Sequence, residues 1–197
     1  MSRKVEQGDV TRGKLLSAAI ELFTDNGFAD TSTTQIVRQA NVTRGALYHH
    51  FADKERLFEA AFVEVQREVF NRCAAASDAA GNDLHARMSA GINVFLDACL
   101  EPQVQRILLL EGPSLLGWQR SLRFDDPYCA RRLLMAGLTS AAKAGLLPDE
   151  QAEPLTHLLY GALNQAGIVI AGAAEPIAER AVMGQAVRDL VDSLLRP

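Results

Sequence analysis

The stretch "VTRGALYHHF", Val42 to Phe51, gathers an arginine, a phenol and two imidazoles around one glycine. These are hydrogen-bond donors suited to an anionic, base-bearing partner. A guanidinium can bond the O6 and N7 of guanine bidentately. A phenol or an imidazole can donate to phosphate oxygens. On a helical wheel at ~100° per residue, Arg44, Tyr48, Gly45 and His49 fall within one arc of about 140°. Leu47 and Phe51 fall on the other side, with Ala46 and His50 between. One face is therefore apolar and suited to packing. The other presents charged and polar tips beside bare backbone at Gly45, as a helix lying in a DNA major groove would. Thr33 and Lys54, near the starts of the flanking helices, place a hydroxyl, an ammonium and unpaired N–H groups where phosphates could sit. Each residue also has a plainer reading. Gly45 could be a tolerated surface glycine, costing ~1 kcal/mol against alanine. Thr43 could be only a cap, His50 only a packing residue, and Lys54 only a solvated helix start.

The elements that must position this face are helical, and no alternating strand pattern stands out. The apolar spacing predicts a first helix over about Val10 to Asn26, with Leu15, Leu16, Ala19, Leu22 and Phe23 on one face. Gly27 follows, where a helix end favours positive φ. Ser32 and Gln35 have capping-box spacing, so a short second helix begins there and ends near Ala40. Asn41-Val42 makes a tight turn, Thr43 caps the third helix, and Asp53 caps a long fourth one through "KERLFEAAFVEVQREVFNRCAAA". Its stripe is Leu57, Phe58, Ala61, Phe62, Val65, Val69 and Cys73. Beyond "SDAAGND" helices are expected over Leu84 to Leu100 and Pro102 to Glu111, with Gly112-Pro113 breaking the run. A helix holding Trp118, a break at Asp125-Asp126-Pro127, and helices over Pro127 to Ala144, Pro154 to Ala174 and Pro176 to Leu195 complete the chain. The fold class is all-α with about nine helices.

Bulk properties set the limits. The chain has 197 residues, 48% hydrophobic and 22% charged, a soluble globular composition. Net charge is −4. Through Ala60 the basic and acidic residues balance, so the whole deficit lies in the remainder and would steer that end away from DNA. Cys73, Cys99 and Cys129 are far apart and odd in number, which predicts reduced thiols in a cytoplasm rather than disulfides. No metal-ligand spacing appears, and no metal or cofactor is expected. "MSRKVEQGDV" lacks the apolar run of a signal peptide, and Arg3 and Lys4 are expected in a disordered tail. Leu155 to Ala174 is long enough to span a membrane, but His157, Asn164 and Gln165 make a buried helix the better reading. No Ser/His/Asp or Cys/His arrangement or phosphate loop is visible, so an enzyme is not expected. Glu101, Glu111 and Asp125-Asp126 read as solvated charges.

The run "GFADTSTTQIVRQANVTRGALYHHFADKERLF" resembles the DNA-binding segment of the tetracycline-repressor (TetR) family of bacterial regulators. The resemblance covers about Thr11 to Phe58. It departs from the family at Asn41, where glycine is usual, and at Val37, where alanine is usual. Asparagine also tolerates the left-handed conformation. The resemblance implies a helix–turn–helix head over 1–53, with recognition helix contacts from Thr43, Arg44, Gly45, Tyr48 and His49, supported by Thr33, His50 and Lys54. It implies a body over 54–197 that holds a small molecule and forms a homodimer through the last two helices, about 154–174 and 176–195. Two heads on a twofold axis would read a palindromic operator. The apolar, small-residue helix "PLTHLLYGALNQAGIVIAGAA" independently allows a partner on each side. Candidate ligand-lining residues are Phe62, Met88, Phe95, Trp118, Phe124, Tyr128, Met135, His157, Tyr160, Asn164 and Gln165. They suggest a moderately apolar ligand. The function implied is a ligand-released repressor. An activator of the same fold, or a helical ligand- or partner-binding protein without specific DNA readout, stays open.

Overall fold

A computed structural model of the chain describes the main chain of residues 3–117 and 128–195, with side chains from Gly8 onward. Nine helices run through the described residues, which contain no strand. Helix α1 is Arg3–Asp30. It begins before Val10, so the backbone at Arg3 and Lys4 is helical rather than a disordered tail. At Gly27 the chain leaves helical geometry (φ 80°, ψ 170°) and resumes it for one turn. Leu15, Ala19 and Phe23 are fully buried on its inner face.

Helices α2 (Thr33–Gln39) and α3 (Arg44–His50) have seven residues each. Isolated helices this short are unstable in water, so caps and packing must hold them. Ser32 Oγ accepts from Gln35 N while Ser32 N donates to the Gln35 side chain, the reciprocal box expected. Thr43 Oγ1 accepts from Ala46 N at 3.2 Å. Asn41 has φ 51°, the left-handed turn between the two helices. Ile36 and Leu47 are fully buried and pin the pair to α1.

Helix α4 (Lys54–Ala79) is capped by Asp53, whose carboxylate accepts from Arg56 N at 2.7 Å. It packs along α5 (Leu84–Ala98). Helix α6 departs from expectation. Val104–Glu111 is π-helical and continues without a break into α-helical Gly112–Leu116. Pro113 lacks an N–H, and the wider i→i+5 pattern closes on Gly112, whose N–H bonds Ile107 O. A Cβ on Gly112 would stand 2.5 Å from the Phe62 ring and 2.7 Å from that carbonyl, so the position takes only glycine. The expected Trp118 helix and the break at Asp125-Asp126-Pro127 lie outside the described residues.

Helix α7 (Ala130–Lys143) ends before Gly145, at φ 76°. A 3-10 turn then leads into α8 (Ala152–Gly172), and α9 (Pro176–Leu194) follows. One contiguous apolar cluster joins Phe23 and Leu47 near the N-terminal helices to Leu138 and Ile170 in the body. No helix among the described residues is long and apolar enough to cross a membrane.

A tight seam within the body lies at Gly167, where an added Cβ would meet Cys99 Sγ at 2.9 Å and Leu109 at 3.1 Å. Gly167→Val is expected to lower stability by about 1–3 kcal/mol through overpacking. Gly13, exposed in α1 with nothing near its missing side chain, gives the opposite outcome. Gly13→Ala should stabilise by about 0.5–1 kcal/mol. Denaturant melts of both variants check the pair.

Candidate nucleic-acid interface and effector cavity

Burying Leu47 and Phe51 leaves the opposite side of α3 in solvent. Thr43, Arg44, Gly45, Tyr48 and His49 are all exposed, and His50 and Thr33 are half-buried. Arg44 Cζ sits 5.6 Å from the Tyr48 ring centroid. The Tyr48 phenol is lowered from its ordinary pKa, first by hydrogen bonding with Arg44, then with Thr33, then by the arginine's charge. The Arg44 guanidinium and the Tyr48 ring thus lie against each other on the solvent face of α3. The His49 and His50 rings meet edge to face at 5.1 Å. An added Cβ on Gly45 would come near nothing but Thr43 Oγ1, at 3.9 Å. Folding places no demand for glycine there, since alanine in a helix is favoured by ~1 kcal/mol.

Lys54 differs from the expected phosphate contact. Its ammonium donates to Phe28 O at 2.8 Å and Thr31 O at 3.0 Å, and lies 4.1 Å from the Phe28 ring centroid. It caps the frayed end of α1. Its partners are more than twenty residues back in the chain, so helix-start position alone suggested a freer group.

In the body, α4, α5, α7 and α8 enclose a cavity of about 220 Å³. Of the candidate ligand-lining residues, Met88, Phe95, Tyr160 and Asn164 stand in its wall, with Ile92, Leu133, Leu134 and Leu163. Burial raises the Tyr160 phenol above its ordinary value, so it stays a neutral hydroxyl. Asn164 Nδ2 donates to the Tyr160 carbonyl at 2.8 Å. The charged lining residues are Arg87 and Asp78, paired at 2.8 Å, with the Asp78 side chain largely in solvent.

Five other candidates do not line this cavity. Phe62 packs where Gly112 has no side chain. The Tyr128 ring packs edge to face on Phe70. Met135 Sδ meets Thr156 Oγ1 at 3.6 Å. His157 and Gln165 are exposed on the outer side of α8. Trp118 and Phe124 lie outside the described residues. Arg131 escaped notice because a charge near a helix start reads as solvated. It is fully buried, with Cζ 5.5 Å from the Tyr160 ring centroid.

Two family models match. "Bacterial regulatory proteins, tetR family" covers residues 15–61, and "Tetracyclin repressor-like, C-terminal domain" covers 85–194. The chain belongs to the tetR family. The first match includes every residue of the candidate interface, and the second runs from α5 into the end of α9. A tetR-family transcriptional regulator of Pectobacterium atrosepticum superposes with TM-score 0.81 at 30% identity, covering 100% of this chain and 99% of that one. The regulator BetI of Burkholderia mallei is 28% identical over 206 residues, 98% of each chain. The regulator UidR of Escherichia coli K12 is 35% identical over 72 residues, only 36% of this chain and 37% of that protein. The fatty acid degradation regulator FadR of Bacillus halodurans shares the fold, with TM-score 0.70 at 15% identity over 90% of this chain and 94% of that one. A tetR-family chain is a transcriptional regulator with a helix–turn–helix, and not an enzyme.

The cavity thiol supplies no nucleophile. Burial pushes Cys73 up to about 11 and Cys99 to about 12, from an ordinary value of 9.0. Both should resist iodoacetamide in the native protein at pH 8 and react in denaturant. The fold keeps protons that the unfolded chain releases above pH 9. Their contribution to stability is therefore intact below pH 9 and declines as pH rises through 11 and 12. Melting curves of wild type and Cys73→Ala against pH check the sign, with the shallower alkaline decline expected in the variant.

Proposed function

We propose that this regulator is a dimeric, ligand-released repressor that reads a palindromic operator through α3. The observation that carries the reading is the solvent face of that helix, with Arg44 stacked by Tyr48 beside a glycine the fold does not require. Arg44 reads a base edge. Thr43, Tyr48 and His49 contact the backbone, with Thr33 and His50 in support. Lys54 acts by holding the end of α1 rather than by reaching phosphate. The division into head and body falls between residues 53 and 54, at the Asp53 cap.

Dimerisation through α8 and α9 is supported by apolar side chains left outside. Leu158 is 69% exposed, Ile177 78% and Val182 60%. They lie with Gly161 and Gly172, beside which nothing stands within 4 Å. Exposed apolar area gathered on two adjacent helices marks an association surface. Two heads so joined would enter successive major grooves, about 34 Å apart. The effector site is the α4–α5–α7–α8 cavity. Its lining is mostly apolar and its two charged residues, Arg87 and Asp78, pair with each other, which favours an uncharged, moderately apolar molecule, because burying an unpaired charge is costly. Such a ligand releases DNA by binding the DNA-free conformation more tightly. The protein acts on DNA in the cytoplasm.

The test is an anisotropy titration against DNA from immediately upstream of the protein's own coding region, at two salt concentrations with excess random DNA. Tight binding that weakens steeply with salt is expected. Arg44→Ala should cost about 1–3 kcal/mol of that affinity. Binding no better than to random DNA at either salt would leave two readings, a distant operator or a chain without specific readout. For the dimer, Leu158→Glu with Val182→Glu should shift sedimentation from dimer to monomer. A dimer that survives both changes places the interface elsewhere.

A further inference from the structure

Glu111 reads in sequence as a solvated charge at a helix end, and the fold gives it another place. Its Oε2 accepts from Phe28 N at 2.9 Å, across 83 residues of chain. An added Cβ on Gly27 would stand 2.6 Å from Oε1, and Gly27 itself has φ 80°. The joint therefore needs glycine both for its backbone and for the carboxylate's approach. Arg106 Nη1 stands 3.9 Å from Oε1, and the Glu111 side chain is only 21% exposed. From the other side, Lys54 of α4 takes the Phe28 carbonyl. The Phe28 ring packs edge to face on Phe58 of α4 at 5.4 Å. Two different helices of the body thus grip the N–H and the C=O of one residue, at the turn from α1 into α2.

The seat of α6 connects this grip to the cavity. Leu109 rests where Gly167 of α8 has no side chain, and Gly112 rests on Phe62 of α4. Further along, α4 contributes Cys73 and Ser77 to the cavity wall, and α8 contributes Tyr160 and Leu163. A change in the spacing of α4 and α8 therefore moves the floor on which α6 sits. Close-packed seams of this kind transmit small shifts instead of absorbing them.

We propose that Glu111 is a positioning residue for DNA recognition: its carboxylate, opposite the Lys54 ammonium, clamps Phe28 and sets the orientation of the head on the body. The role in DNA binding rests on the regulator reading above. The clamp itself can be tested without it.

The experiment compares wild type, Glu111→Ala and Glu111→Gln as full chains, well below their melting temperatures. Amide exchange is read by NMR. Affinity is read on duplexes that the wild type itself selects from a random pool. In Glu111→Ala the Phe28 amide should exchange about 10- to 100-fold faster, as expected for losing a hydrogen bond to a charged group. The amides of Ile36 and Leu47 should keep their wild-type rates. Affinity for the selected duplex should fall about fivefold or more with an unchanged salt slope, since no phosphate contact is removed. Glu111→Gln retains an acceptor oxygen and should recover both readouts most of the way. Unchanged Phe28 exchange overturns the clamp. Equal acceleration at Phe28, Ile36 and Leu47 reduces Glu111 to a general prop and overturns the positioning role. So does faster Phe28 exchange with wild-type DNA affinity. If the wild type selects no sequence, the regulator reading fails and the positioning role with it, while Phe28 exchange still decides the clamp.

Discussion

Everything in this chain depends on α4 running through both ends of one continuous core. Leu57, Phe58 and Ala61 complete the apolar interior under α1, while Val65, Val69 and Cys73 continue the same stripe into the body. One helix of 26 residues cannot satisfy both unless they keep a fixed distance and rotation. The Asp53 cap fixes where it starts, and Lys54 binds that start to the end of α1. The head is therefore mounted on the body rather than tethered to it. A mounted head can be moved by the body, which a flexible link would prevent.

The solvent face of α3 is free because other residues take up the cost of folding. Helices α2 and α3 are too short to persist alone, and their stability comes from Ile36, Leu47 and the Ser32 and Thr43 caps. That arrangement leaves the outer side of α3 free of structural duty. Gly45 can then be glycine, and Tyr48 can stay 44% exposed. The exposed apolar side chains on α8 and α9 follow the same logic. Apolar side chains left in water there have no role within one chain.

Much of this was legible in the sequence wherever cause and effect lie within a few residues. Ser32 with Gln35, Thr43, Asp53, Asn41 and Gly145 announced their turns and caps, and the structure places each as read. The resemblance of the N-terminal run identified the family. What escaped depends on partners far along the chain. Lys54 meets carbonyls at 28 and 31, and Glu111 meets Phe28 from 83 residues away. Gly112-Pro113 is a stop by local rule, yet a π-helical ladder carries the helix through it. The ligand candidates were divided by helix rotation. Tyr160 and Asn164 turn inward on α8, while His157 and Gln165 turn outward, and hydrophobic pattern alone does not separate four such residues on a helix apolar nearly all round.

If the cavity is the effector site, its mostly apolar lining, with Arg87 and Asp78 paired, has a physiological consequence. Occupancy of such a site by an uncharged ligand responds little to ionic strength, whereas occupancy of DNA falls steeply with it. On the proposed reading the two equilibria compete for one protein, so added salt weakens only the DNA side. A cell whose cytoplasm becomes more concentrated would then derepress at a lower dose of the same inducer. Osmotic state would set the threshold of the switch without any osmotic sensor in the protein.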